Sequence, residues 1–435
     1  MKPSGAAFAL GARGRLLPLS IPMRFFGAAA VFHVFAWIAL GLGAAQVPRF
    51  AGGTGWPLAA LHAATLGVLA MSAIGASLQL VPVATLQPLG SWRTPVIVWW
   101  LYTPGVALLV AGMAAQQPLW IALAAAPVIA ALLIYAALLA RNLAGARSMA
   151  GVRMQGWLAL GALVVTLASA AAMVATWAGW AAWPRDGLLM LHIVSAVFGF
   201  MGALALGLSN ILLPMFALGP VPADRTQLAV AALCAAAWLG CMPVALAGWP
   251  HEALLAPLAL AAVAVAVHLR SMHAVWRAGM RRDGGGSLRL MQLGWTGLCV
   301  SLLGAAAWAW GGEREGLAVG VVVCAVVGWL MSFLFGVLQR IVPFLASMHL
   351  AGTSRRAPTP SSLTDDKALT VHRLAHGVAL ALLALGMAAD SALAVTAAAA
   401  VGTAGALAFV QFMAQALRRT RAAQRAATRL RDAAG

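Results

Sequence analysis

The chain has 435 residues, 63% of them hydrophobic and 9% charged, with a formal net charge of +18 and a mean hydropathy of +0.92. So few charges cannot solvate a water-soluble protein of this length, so the composition requires a multi-pass membrane protein and excludes the soluble enzyme classes. The basic excess admits a nucleic-acid partner only if it is clustered on one surface, and its distribution along the chain decides that question.

Apolar runs long enough to cross a bilayer core, about 20 residues each, fall near 22–45, 58–82, 94–113, 119–140, 155–178, 187–216, 226–248, 252–275, 290–311, 315–343, 368–389 and 392–417. The first follows Arg13, Arg15 and Arg24 without a small-residue cleavage site, so it reads as a retained span and not a signal peptide. With twelve spans and the N-terminus inside, all Lys and Arg except Arg49, Arg185 and Arg314 fall on the inner side. That is the positive-inside pattern, and it predicts a bacterial inner-membrane protein with both termini cytoplasmic. The charge therefore orients the chain in a lipid bilayer, and no nucleic-acid partner is expected. The C-terminal run Arg418, Arg419, Arg421, Arg425, Arg429 and Arg431 reads either as an orienting tail or as a site for anionic lipid. The longer loops, 276–289 and 344–367, read as cytoplasmic linkers.

Three stretches share one pattern, Gly-x7-Gly-x6-Pro: Gly67, Gly75 and Pro82; Gly199, Gly207 and Pro214; Gly328, Gly336 and Pro343. About 0.2 such matches are expected by chance, and these recur about 130 residues apart, which points to an internal triplication. The predicted architecture is a single transmembrane domain over 1–435, all-α and polytopic, with twelve transmembrane helices in three pseudo-symmetric four-helix units at 22–140, 155–275 and 290–417. The motif lies on helices 2, 6 and 10. Small residues continue it in the second and third copies (Ala203, Ser332), a face for close backbone approach in lipid. Met71 takes that place in the first copy, so its packing must differ. A weaker echo, Met154-Gln155-Gly156-Trp157 and Met291-Gln292-Leu293-Gly294-Trp295, opens helices 5 and 9.

Histidines are the candidate chemistry. His62 lies 13 residues before Gly75 and His192 lies 15 before Gly207, so both sit in the outer turns of equivalent helices. An imidazole at that depth requires a partner, either a neighbouring helix or a haem iron or copper ion. Cys241-Met242 on helix 7 lies at a similar depth, and with His192 would suit Cu(I); core packing is the competing reading. His33 reads as a hydrogen-bonded core residue, His372 and His376 as an interfacial pair at the cytoplasmic start of helix 11, and His268 and His273 as inner-end residues among Arg270 and Arg277. Asn210, Gln339 and Arg340 read as helix-to-helix links. Cys234, Cys241, Cys299 and Cys324 all lie in spans, with no Cys-x-x-Cys pattern for a disulfide framework or c-type haem. No Walker or Gly-x-Ser-x-Gly sequence occurs and acids are confined to loops and helix ends, which sets aside acyl, glycosyl and phosphoryl transfer.

Twelve helices in three units of four, with His62 in LHAATLG and His192 in LHIVSAVFG, resemble the haem-copper oxidase subunit I superfamily. The resemblance spans the chain and implies a haem ligand at His62 and a copper ligand at His192. The family's helix 10 histidines are absent, with Val321 and Val323 at those places, and helix 7 carries no histidine pair between 226 and 248. A terminal oxidase or nitric oxide reductase is therefore not expected. Among relatives the chain looks most like the NnrS group, through His62-Ala-Ala-Thr-Leu-Gly67 and Gln339-Arg340-Ile341-Val342-Pro343-Phe344. That likeness implies haem b, copper or both as cofactors, a role in respiration or nitric oxide tolerance, and respiratory or oxidase-assembly proteins as partners. The alternative is a transporter or assembly factor on the same scaffold without a cofactor. Most twelve-helix transporters are built from two six-helix halves.

Overall fold

A computed structural model describes residues 16–281, 285–311, 316–351 and 358–432, with side chains through 429. Arg13, Arg15, Arg314, the Arg431 side chain and part of the 344–367 linker lie outside the described residues. The protein is an all-α multi-pass membrane protein, with twelve helices among the described residues long and apolar enough to cross a bilayer. They are α1 (Ser20–Leu42), α2 (Trp56–Thr85), α3 (Arg93–Ala114), α4 (Pro118–Gly145), α5 (Ala150–Trp177), α6 (Arg185–Ala217), α7 (Asp224–Ala247), α8 (His251–Ala278), α9 (Gly285–Gly311), α10 (Leu317–Ala351), α11 (Asp366–Ala388) and α12 (Ala392–Asp432). Loops after the odd-numbered helices form one face, with Arg49 and Arg185. Loops after the even-numbered helices form the other, the basic face.

Every span read from the apolar runs is present, but several helices outrun them. α5 and α9 begin five residues early, and α10 continues to Ala351, through the first third of the expected linker. Hydropathy marks the hydrocarbon slab, whereas a helix continues for as long as its backbone bonds do. Large side chains such as Trp100, Leu119, Leu303 and Leu393 are exposed on the outside of the bundle, as expected of surface that meets lipid.

The motif glycines explain how the units pack. In each copy the motif helix lies on the helix before it, and a Cβ at the glycine would collide with that neighbour. At Gly75 it would meet Phe25 of α1 at 2.8 Å, at Gly207 it would meet Gln155 of α5 at 2.9 Å, and at Gly336 it would meet Ser287 O of α9 at 2.6 Å. The first copy does differ as Met71 implies. Its glycines receive the rings of Phe25 and Phe32, while the third lets backbone approach backbone. The prolines Pro82, Pro214 and Pro343 sit inside their helices. Four residues beyond the first two, Leu86 (φ 60°) and Leu218 (φ 51°) end α2 and α6 in the left-handed region, whereas α10 runs on as helix.

A second shared feature has no counterpart in the sequence reading. Each motif helix changes from α to π winding over Ala63–Ala70, Val194–Gly202 and Cys324–Met331, always ending five residues before the second motif glycine. The first motif glycine lies inside each π segment. The segments meet at the centre of the bundle, where Gly202 leaves room for Trp329 and the rings of Phe198 and Trp329 lie 5.8 Å apart. π winding is rare and concentrates at functional sites.

The bundle closes on itself. α1 packs against α12, with Trp37 lying over the backbone of Gly402. On the Arg49 face the α1–α2 loop reaches both ways: Arg49 pairs with Asp390 of the α11–α12 turn, and Arg185 of α6 donates to Ala51 O at 2.7 Å.

Candidate functional site

His62 and His192 come together. α2 starts at Trp56, with Gly55 (φ 132°) before it and Pro57 in its first turn, and α6 starts at Arg185, so each histidine falls in the second or third turn of its helix, immediately before or near the π segment. Their ring centroids are 6.5 Å apart with planes inclined by 20°. His62 Nδ1 lies 3.1 Å from Leu58 O, one turn back. His192 Nδ1 lies 3.2 Å from Thr166 O and 3.4 Å from Ser169 Oγ, both on α5. A carbonyl only accepts, so each Nδ1 carries the proton and each Nε2 holds a lone pair. A carbonyl accepting from Nδ1–H is also what orients imidazoles that ligate metals through Nε2. Sequence spacing located the two histidines; it missed Thr166 and Ser169, which lie on a neighbouring helix and carry no sequence signal.

Cys241 and Met242 sit at the break in α7. Cys241 Sγ donates to Ala237 O at 3.4 Å and packs with Met190, Val244, Leu254 and Trp308. Beside the histidine pair, α7 contributes Trp238, whose Nε1 donates to Ser195 Oγ at 3.1 Å. Among the described residues no three His, Cys, Asp or Glu side chains form a group that could hold a metal ion.

A second histidine cluster lies deeper. His33 of α1 and His372 and His376 of α11 are 1%, 0% and 2% exposed. The interfacial location expected for His372 and His376 is thus corrected: depth along the helix places them near the basic face, but α1, α10 and α12 cover them laterally. Ring centroids are 5.7 Å apart for His33 and His372 and 6.0 Å for His372 and His376, with Phe335 packed against all three. The expectation of a hydrogen-bonded His33 holds, because Trp37 Nε1 donates to His33 Nε2 at 3.0 Å. Gln339 of α10 meets His372 Nδ1 at 3.2 Å and accepts from Arg373 at 3.1 Å. Ser332 Oγ lies 2.8 Å from His376 Nε2 and 3.1 Å from Val327 O. The Asp365 side chain caps α11 by accepting from Ala368 N, which fixes the register of both histidines. Three ring nitrogens, His33 Nδ1, His372 Nε2 and His376 Nδ1, are buried without a hydrogen-bond partner. Each such group costs about 1–3 kcal/mol.

The remaining polar residues are links. Gln339 joins α10 to α11, and Arg340 joins α10 to α9 through Ser287 Oγ at 2.6 Å while its guanidinium lies 5.6 Å from the Phe216 ring. Asn210 instead bonds to its own helix at Leu206 O. His268 is buried on α8, and its Nε2 has no partner.

No protein-family model matches the chain, and no curated protein matches it either.

Proposed function

We propose that the chain is a haem-copper oxidase-like, NnrS-like protein of the bacterial inner membrane, in which His62 and His192 bind haem b or copper in the service of respiration or nitric oxide tolerance. The observation that carries this reading is the facing pair of imidazoles whose Nδ1 protons are committed to protein acceptors. The residues fit a group that takes two neutral imidazoles. The two rings stand with centroids 6.5 Å apart, and each keeps an Nε2 lone pair. They do not fit a centre that needs three protein ligands, since no third His, Cys, Asp or Glu joins them among the described residues. Haem or copper at this pair would supply one-electron transfer or binding of a small diatomic ligand.

The chain's own contribution is positional. Leu58 O, Thr166 O and Ser169 Oγ hold the ring planes and the tautomers, and α5 ties the second ligand to the scaffold. The lack of a histidine on α7 and of one in the outer turns of α10, where Val321 and Val323 stand, argues against reduction of oxygen or nitric oxide at a binuclear centre, so an accessory role beside respiratory or oxidase-assembly proteins is the reading supported best. The test is the absorption spectrum and copper content of detergent-purified protein from haem- and copper-sufficient cells. A Soret band, or about one copper, lost in both His62→Ala and His192→Ala is the expected result. A colourless, copper-free wild type overturns the proposal and leaves a transporter or assembly factor on this scaffold.

A further inference from the structure

The structure assigns to the His33, His372 and His376 cluster a role distinct from that of the outer pair: it is a site for one hydroxyl oxygen, that of a buried water, and it is wired against metal cations. The argument is one of protons. Trp37 Nε1 can only donate, so His33 Nε2 is an acceptor and the proton of the neutral ring lies on Nδ1. Arg373 can only donate, so it holds Oε1 of Gln339 and turns the amide Nε2 toward His372, whose Nδ1 must then accept and whose Nε2 carries the proton. Ser332 satisfies both of its neighbours only by giving its hydroxyl proton to Val327 O and accepting from His376 Nε2–H, which leaves a lone pair on His376 Nδ1.

The three unpartnered atoms are therefore two N–H donors and one acceptor, all buried. One hydroxyl oxygen complements that set, accepting two hydrogen bonds and donating one. A metal ion does not, because only His376 offers it a lone pair. Moving the proton on either of the other rings would set donor against donor at Trp37 or at Gln339. The contrast with His62 and His192 is direct: there carbonyls hold the protons and leave lone pairs, and here donors hold the lone pairs of His33 and His372 and leave their protons.

The test uses full-length protein in lipid, labelled with 15N-histidine, in which solid-state NMR separates protonated from bare ring nitrogens. Expected are a proton on His33 Nδ1 and His372 Nε2, none on His376 Nδ1, and transfer from water protons to these rings in a water-edited spectrum. Transfer from carbon-bound protons of a non-exchanging molecule would support the hydroxyl chemistry and make the source a bound alcohol group. Transfer from neither, with the N–H groups resting on the Phe335 ring, overturns the site. A second measurement separates this inference from the proposed function, since it is made in a His62→Ala/His192→Ala background. There the chain with native Gln339 takes up no Zn2+ at the cluster, whereas Gln339→Glu, which puts an acceptor against His372 Nδ1 and frees its Nε2, gains at least tenfold in Zn2+ affinity. Equal Zn2+ binding by both proteins, with the metal on these rings, overturns it as well.

Discussion

At the scale of single residues, the motif glycines are where a small change should matter most. In Gly336→Ala the new Cβ meets Ser287 O at 2.6 Å and Met291 N at 3.0 Å, backbone atoms that cannot swing aside. A loss of about 1–3 kcal/mol is expected, read as a lower melting temperature in detergent. Gly320→Ala on the same helix, with nothing within 4 Å of its Cβ, is the control and should be neutral or slightly stabilising. The glycines were legible as a spaced pattern, and so was the correspondence of His62 with His192 once that pattern supplied a register. The environment of His372 and His376 was not. A sequence states how far along a helix a residue lies, but His372 is buried by Phe335, Phe409 and His33, which come from three other helices. The i, i+4 spacing of His372 and His376 was the local signal that placed those two on one face.

Helices raise a different question, how one winding is set against another. Leu86 and Leu218 hold φ near +60° and +51°, a region that costs a side-chain-bearing residue about 1–2 kcal/mol. Leu86→Gly and Leu218→Gly should each raise stability by up to about 1 kcal/mol, provided the exposed or half-buried side chain contributes little. Ser347→Gly, the same place in α10 but inside a continuing helix, should lower it by about 0.5–1 kcal/mol. Thermal unfolding of the three variants distinguishes the two cases. The π segments carry a sharper expectation. Removing one residue between 194 and 202 closes the π turn to α winding and shifts the outer part of α6 along and around its axis relative to its glycine face. His192 then leaves Thr166 and Ser169. The deletion should therefore cost the purified protein the Soret band or copper expected at the pair, as His192→Ala does. The apolar runs disclosed twelve helices because hydropathy reports on lipid; they were silent on π winding because the segments AATLGVLA, VSAVFGFMG and CAVVGWLM are as apolar as any α span.

For the molecule as a whole, the expected orientation follows from the basic residues and is open to direct test. A cysteine replacing Gln117, between α3 and α4, should react with an impermeant maleimide on intact cells. One replacing Arg147, between α4 and α5, should react only after the membrane is opened. The reverse pattern would turn the protein over and place the His62–His192 pair toward the cytoplasm. The exposed Arg49–Asp390 pair contributes little energy by itself. It has another consequence, in time: its partners are 341 residues apart in sequence, and α1 also waits for α12 to cover Trp37. At about 5–20 residues per second of synthesis, α1 spends roughly 17–70 s in the bilayer before its final neighbour is made. His33 has no α11 beside it during that interval. Biogenesis of this protein must therefore shelter the inward face of α1, with His33 and Trp37, until α11 and α12 are made.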